Sequence, residues 1–296
     1  MHTPHPALPE FDYVKPASLS EASQFLAQHA GQARPFMGGT DTFVRMRDGF
    51  WKDNYLVDVK HLDGLTVLSF DPAAGLTLGA AVNMNRVIAD PAVQAHYPLL
   101  AEAARSVASY QLRSRTTIVG NICNASPAGD TLGACLVLGA RLSVHGVAGV
   151  RELALTDFFR GPGKTALTPG DIVTAVRFPV PPAGAAGRYI KLGRNALSDL
   201  AIVGVTAFAS RDAGAASGFR FQIALASVAP TPLLLTPAAL MDAPVTEAAL
   251  AEAAEATATA IQPIDDVRGS AEYRRLMVRN LTRQALTDVW RRSAAA

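Results

Sequence analysis

Apolar residues recur at strand spacing in some stretches and at helical spacing in others, and their order sorts the chain into three units. Phe11 to Lys15 reads as a short strand or extended arm. Ser18-Leu19-Ser20-Glu21 has the form of a capping box, a hydroxyl followed three residues on by a carboxylate. The helix it starts runs to about His29, with Ala22, Phe25 and Leu26 on one face, and Gly31 stops it. Arg34-Pro35-Phe36-Met37 leads into Gly38-Gly39-Thr40-Asp41, Thr42 to Arg47 is helical, and Tyr55 to Val59 is a buried strand. Residues 1–60 thus form a β-α-loop-α-β unit with a glycine-rich loop at a strand end. Residues 61–181 form a second, α+β unit. It opens with a hairpin, Leu65 to Phe70 and Leu76 to Val82, that turns at Asp71 to Gly75. Helices over Asn85 to Asp90, Tyr97 to Val107 and Leu132 to Leu138 follow, with strands over Arg141 to Val144 and Asp171 to Phe178. Pro179-Val180-Pro181-Pro182-Ala183-Gly184 is the boundary signal. Beyond it, residues 182–296 offer three antiparallel strands, Arg188 to Leu192, Ala201 to Ser210 and Gly218 to Ser227. Two helices follow them, Thr246 to Ile261 and Ala271 to Ala295. The fold class is α+β throughout.

One stretch departs from both periodicities. Thr117-Ile118-Val119-Gly120-Asn121-Ile122-Cys123-Asn124-Ala125-Ser126-Pro127-Ala128-Gly129-Asp130 is the densest cluster of small and polar residues in the chain. Small side chains let backbone N–H groups approach a ligand, and Thr, Asn and Ser add short hydrogen-bonding arms. It reads as a loop wrapped round something polar and bulky; the competing reading is an ordinary turn with a helix cap. Gly38-Gly39-Thr40-Asp41 has the same character. Together the two could clamp an extended anionic cofactor, with backbone N–H groups on its pyrophosphate, or be two unrelated turns.

Composition narrows the choice. The chain has 296 residues, 49% of them hydrophobic, enough for a sizeable core. No unbroken apolar run reaches membrane-spanning length, and Met1 to Glu10 lacks the basic and apolar regions of a signal peptide. A net charge of +2 with both signs dispersed gives no reason to expect nucleic acid. Cys123 and Cys135 are too few for an iron–sulfur cluster; a disulfide stays open, but the absence of a framework favours a reducing cytoplasm. Gly161-Pro162-Gly163-Lys164-Thr165 is a turn rather than a phosphate-binding P-loop. Phe158 stands where that motif needs glycine, and Pro162 removes an N–H. There is no G-x-G-x-x-G, no G-x-S-x-G elbow and no metal-binding histidine pair, and Ser126 before Pro127 reads as a loop hydrogen-bonder. No catalytic acid–base pair stands out.

The two loops resemble the two FAD-binding motifs of the flavoprotein subunit of molybdenum hydroxylases, the xanthine dehydrogenase and carbon monoxide dehydrogenase medium-subunit family. The resemblance continues through Asp157-Phe158-Phe159-x-Gly161-Pro162, Asp171-Ile172-Val173 and Lys191-x-x-Arg194-x-Ala196-x-Asp199. It closes on Asp266-Val267-Arg268-x-Ser270-Ala271-x-Tyr273-Arg274-Arg275, and covers about residues 11–290. It implies the vanillyl-alcohol-oxidase-like FAD fold over the first two units, with an added C-terminal domain. It also implies site residues. Pro35, Phe36, Met37, Gly38, Gly39, Thr40, Asp41 and Thr42 would form the first loop. Thr117, Ile118, Val119, Gly120 and Asn121 would hold the other side of the pyrophosphate, with Ser126 nearby and Asp130 on ribityl or sugar hydroxyls. Val107 would line the adenine end, Ile172 and Val173 the isoalloxazine ring, and Lys191 the pyrimidine edge of the flavin. By themselves, Ile172 and Val173 read equally as strand core and Lys191 as a surface lysine.

Val119 departs from the family, which has glycine or alanine there; a β-branched residue is awkward if φ is positive. No cysteine-rich insertion for an extra cluster is present, and neither loop carries a histidine for covalent flavin attachment. The implied function is an FAD-carrying electron-transfer subunit of a heterotrimer, with a large molybdopterin subunit and a small subunit holding two [2Fe–2S] clusters. The complex would be cytoplasmic, a single or paired heterotrimer, and would reduce NAD, a quinone, a carrier protein or O2. A stand-alone FAD oxidase and a cofactor-free scaffold are the alternatives.

Overall fold

The computed structural model describes residues 7–195 and 199–295. His2 and His5 of the N-terminal tail and Ala196 of the Lys191 motif lie outside the described residues. The N-terminal sheet has the order β1-β3-β2 and is parallel, built from β1 (Asp12–Val14), β2 (Ala33–Phe36) and β3 (Tyr55–Asp58). Parallel strands need crossovers, supplied here by α1 (Leu19–Gln28) and α2 (Thr42–Arg47). The Ser18 hydroxyl caps α1 by accepting the Glu21 N–H at 3.1 Å. The Glu21 carboxylate reaches back one residue further than a capping box requires, to the Ala17 N–H at 2.7 Å. Phe36, Met46 and Leu56 form a small core of their own.

An antiparallel five-stranded sheet follows, in the order β4-β5-β10-β6-β7. The hairpin β4 (Leu68–Asp71) and β5 (Gly75–Gly79) leads into a helical layer of α3 (Met84–Ala89), α4 (Pro91–His96), α5 (Pro98–Arg105), α6 (Tyr110–Arg113), α7 (Ile118–Asn124) and α8 (Leu132–Val137). β6 (Arg141–Gly146) and β7 (Gly149–Ala154) come next. A two-stranded ribbon, β8 (Phe159–Gly161) and β9 (Lys164–Thr165), turns through the Gly161-Pro162-Gly163 segment, and β10 (Ile172–Phe178) returns to the sheet centre. α4 and α6 are absent from the sequence expectation, although each carries its start signal. Asp90 caps two N–H groups of α4 with Pro91 at the first helical position, and Ser109 caps α6.

The third sheet runs β11-β12-β13-β14: β11 (Ala186–Leu192), β12 (Val203–Arg211), β13 (Phe219–Ala226) and β14 (Leu233–Leu235). It has one strand more than the three expected. β14 is short, sits at the edge and is bracketed by Pro232 and Pro237, which is where proline is tolerated in sheets. α9 (Glu247–Thr259) and α10 (Ala271–Ala295) cover one face. α8 is buried at every residue because it is packed from both sides, against α5 and against β12 and β13. Gly133 of α8 passes so close to β12 that a Cβ there would strike the Thr206 hydroxyl.

The C-terminal signature is a structural staple. Arg274 is fully buried. Its Nη1 donates to the carbonyls of Ile202 (2.7 Å) and Ser227 (2.8 Å), and its Nη2 to Asp266 Oδ1 (2.6 Å). Arg268 donates to Asp266 Oδ2 at 2.6 Å and to the Ala201 carbonyl at 3.1 Å. Ser227, held at φ +66°, donates its N–H to the Pro127 carbonyl (2.8 Å), so the staple reaches the small-residue stretch. Burial alone would push the Asp266 carboxyl up; the hydrogen bonds from Arg268 and the charges of Arg268 and Arg274 outweigh it and hold it at about 2. Arg274→Met should cost about 3 kcal/mol or more in urea unfolding, because it leaves two buried carbonyls without a donor and removes one of the two cations on Asp266. A depressed folded-state pKa stabilises above the unfolded value and loses that stabilisation as pH falls through the folded one. The gap in melting temperature between wild type and Asp266→Asn should therefore close as pH drops from about 4 to about 2.

Candidate functional site

Two backbone segments make the floor of the site. The first leaves β2 at Phe36 and reaches α2 through Gly38-Gly39-Thr40-Asp41. Gly39 has φ +75°, a conformation glycine adopts without penalty. Gly38 is packed so closely that a Cβ there would strike the backbone carbonyl of Arg115. Arg115 Nε in turn points to the Gly38 carbonyl at 3.4 Å. The second segment follows directly. Thr117 is extended, and its hydroxyl accepts the Gly120 N–H at 2.8 Å, which starts α7. Residues 118–124, read from sequence as loop, are therefore helix, with Ile118, Val119 and Ile122 buried against the core. Val119 sits inside the helix with no positive φ, so its β-branch meets no obstacle. Ala125 ends the helix in the left-handed region, φ +46°, and its carbonyl accepts the N–H of Gly163 from the β8–β9 turn. Asn121 Oδ1 accepts from the Thr131 hydroxyl at 2.7 Å, tying α7 to the start of α8.

Two adjoining cavities open above this floor, about 460 and 250 Å³. The larger is lined by Pro35, Met37, Gly38, Gly39, Thr40, Asp41, Thr42, Thr117, Val119, Gly120, Asn121, Ile172 and Val173. Ile172 and Val173 are neighbours on β10, where a register shift between Val173 and Ala175 interrupts the strand's alternation. Asp171, beside them, is held by Arg151 in a two-pronged pair at 2.7 and 2.9 Å. Val107, Ser126 and Asp130 line the smaller cavity. Thr40, Asp41 and Asn121 line both, so the two loops meet where the cavities join. Phe36 and Ile118 line neither; they lie in the core, and the Phe36 ring fills the space where a Gly39 side chain would go.

Lys191 lines neither cavity, but its partner does. Its Nζ donates to Asp130 Oδ2 (2.8 Å) and to the Ser106 carbonyl (3.1 Å). Asp130 Oδ1 accepts from the Tyr189 hydroxyl at 2.7 Å. Tyr189 and Lys191 are two apart on β11, hence on one face, and that period was the available signal for the tyrosine. Burial raises the Asp130 carboxyl, with the Lys191 charge and both hydrogen bonds pulling the other way. Burial and the Asp130 charge raise the Tyr189 phenol well above its usual range.

This geometry sets some of the expected roles against one another. The resemblance implies the adenine end for Val107 and the flavin edge for Lys191, yet the Lys191 ammonium rests on Ser106, next to Val107. Ile172 and Val173, assigned to the same flavin ring as Lys191, line the other cavity. A flavin ring set against Lys191 would therefore lie by Val107, with Ile172 and Val173 at the other cavity. Lys191 and Ser106 are 85 residues apart in sequence, and nothing local signals the pairing.

Asn124 was also missed as a site residue. It lines both cavities, and its Oδ1 is buried without a hydrogen-bond partner. Such an acceptor at the junction calls for a donor from a ligand. A dinucleotide bearing ribityl and ribose hydroxyls fits both this acceptor and the close backbone approach at Gly38. Cys123 and Cys135 are free thiols, and burial pushes the Cys123 thiol up to about 12. Among the described residues no cluster of three or more His, Cys, Asp or Glu is suited to a metal, and no helix is long and apolar enough to cross a membrane.

The family model for the FAD binding domain in molybdopterin dehydrogenase matches residues 9–181, and that for the CO dehydrogenase flavoprotein C-terminal domain matches residues 188–289. The chain belongs to this family. Among its relatives is the carbon monoxide dehydrogenase medium chain of Hydrogenophaga pseudoflava, 31% identical over 97% of this chain and 99% of that one. Another is the putative xanthine dehydrogenase FAD-binding subunit of Escherichia coli K12, 30% identical over 93% and 94%. A chain of the solved carbon monoxide dehydrogenase from Hydrogenophaga pseudoflava superposes with a TM-score of 0.91 at 32% identity, covering 97% and 99%. Quinoline 2-oxidoreductase from Pseudomonas putida 86 gives 0.87 at 27% identity, over 96% and 98%. The protein is thus an FAD-binding medium subunit of the molybdopterin-dependent oxidoreductase type, and the expected fold class stands.

Gly38→Ala forces the first loop away from Arg115. Its FAD content after purification should fall at least severalfold with little change in melting temperature. Full flavin occupancy in this variant would show that the close approach is dispensable.

Proposed function

We propose that this chain carries FAD in an extended pose across both cavities and acts as the electron-transfer subunit of a heterotrimeric molybdenum hydroxylase. The observation that carries the pose is the Tyr189–Asp130–Lys191 cluster, which reaches the smaller cavity through Asp130 and sets the Lys191 ammonium directly behind it. The isoalloxazine belongs there, between Val107, Ser126 and Asp130, with Lys191 behind Asp130. The pyrophosphate crosses where Thr40, Asp41 and Asn121 border both cavities. The adenine enters the larger cavity, where Ile172 and Val173 supply an apolar wall, reversing the end expected for those two residues and for Val107. Bound FAD supplies the redox chemistry. The chain's own residues bind it, keep water from its buried edge and set the field it feels. Lys191 favours negative charge on the ring.

The division into residues 1–60, 61–181 and 182–296 assigns FAD to the first two units and the cluster's lysine and tyrosine to the third. Electrons would arrive from two [2Fe–2S] clusters on a small partner, itself supplied by a large molybdopterin subunit, and leave to NAD, a quinone, a carrier protein or O2. The assembly would be a cytoplasmic heterotrimer or a pair of them; the free thiols of Cys123 and Cys135 suit a reducing compartment. Relatives are named for carbon monoxide, glyceraldehyde, nicotinate and nicotine enzymes at 27–31% identity. That spread supports substrate chemistry on another chain.

The purified complex should contain two unequal partners, and its organic substrate should bleach the flavin only when both are present. Direct bleaching by substrate in the FAD-loaded chain alone would make it a stand-alone oxidase instead, and a chain that never takes up FAD would be a scaffold. Within the complex, Lys191→Met should retain FAD and lower its two-electron potential. Loss of one partly buried charge interaction, about 1–2 kcal/mol, corresponds to about 20–40 mV.

A further inference from the structure

Lys191 is itself held by a turn that another residue organises. α5 ends at Arg105, and the last carbonyls of a helix have no partner within it. The chain then bends through Ser106, Val107 and Ala108, with Ala108 at φ +44°, a conformation disfavoured for any residue with a Cβ. Arg113, the last residue of α6, closes over this bend. Its Nη1 lies 3.1 Å from the Arg105 carbonyl, 2.8 Å from that of Val107 and 2.9 Å from that of Ala108. The carbonyl left out of this set, Ser106, points the other way and accepts from Lys191 Nζ at 3.1 Å. Four consecutive carbonyls are thus shared between two cations, three on Arg113 and one on Lys191. On the cavity side the same bend presents Val107 and Ala108 to the smaller cavity.

We propose that Arg113 is a positioning residue for the flavin: it fixes the Arg105–Ala108 bend so that the Ser106 carbonyl anchors the Lys191 ammonium beside Asp130. The proposal rests on the ring orientation given above. Without Arg113 the bend has no donor for three carbonyls and a strained residue at its apex, so Ser106 swings away. Lys191 keeps only Asp130, and its field on the ring weakens.

The test is a double-mutant cycle in the intact complex: wild type, Arg113→Ala, Lys191→Met and both. FAD per chain is measured first, then the reduced-to-oxidised flavin ratio at one fixed ambient potential. Arg113→Ala should retain FAD and lower that ratio about 3- to 10-fold, the scale of one net hydrogen bond. It should add nothing once Lys191 is Met. An unchanged ratio in Lys191→Met overturns the orientation and the proposal with it. A lowered ratio there, with Arg113→Ala silent or equally effective in both backgrounds, overturns the positioning role alone. If Arg113→Ala does not fold, Arg113→Lys takes its place in the cycle. It keeps the charge but not the planar fork, and a smaller drop, again absent with Lys191→Met, is expected.

Discussion

The site depends on one approach between two backbones. Gly38 and Arg115 are 77 residues apart and belong to different sheets' neighbourhoods, yet no room for a Cβ is left between them. That approach brings the first loop against the start of α7 and makes one floor out of two turns. Everything above it follows. Thr40, Asp41 and Asn121 meet at the junction of the cavities, and Asn124 presents an unpartnered oxygen there. Neither segment alone would bind an extended ligand, because each offers only one side of the crevice.

The C-terminal part is tied to this floor by hydrogen bonds rather than by sequence proximity. Buried Arg274 binds the Ser227 carbonyl, and the Ser227 N–H binds the Pro127 carbonyl, so α10 is linked to the stretch that carries Asn124 and Asp130. β11 adds Tyr189 and Lys191 from above. Asp199 and Leu200, beyond the end of β11, line the smaller cavity, so the third unit contributes to it directly, and α8, packed on both sides, keeps the two parts in register. A charged residue as deeply buried as Arg274 is tolerable because two carbonyls and a carboxylate take donors from both its terminal nitrogens, leaving Nε as its one buried nitrogen without a partner.

Much of this was legible in the sequence. Elements such as Leu19–Gln28, Ile172–Phe178 and Ala271–Ala295 stand within a residue or two of where their patterns put them. The two loops were legible from composition. α7 was not, because Gly120, Asn121 and Asn124 are poor helix formers, and burial of Ile118, Val119 and Ile122 overrides that preference. For the same reason the doubt over Val119 had no local answer. α4 and α6 were missed despite Asp90-Pro91 and Ser109, because α4 buries Val93 alone and α6, a single turn, buries nothing, so neither has an apolar period to read. The partnership of Lys191 with Asp130 and Ser106 was illegible in principle, since it is a property of how β11 docks on the helical layer. That docking is what motivates the proposed reversal of the cofactor's two ends.

The central claim is the direction in which FAD lies across the two cavities. A structure of the FAD-loaded complex tests it most directly. The expected density has the pyrophosphate between Gly38–Asp41 and Thr117–Asn121, the isoalloxazine against Val107 and Asp130, and the adenine beside Ile172 and Val173. An isoalloxazine lying between Ile172 and Val173, with adenine near Val107, would contradict it.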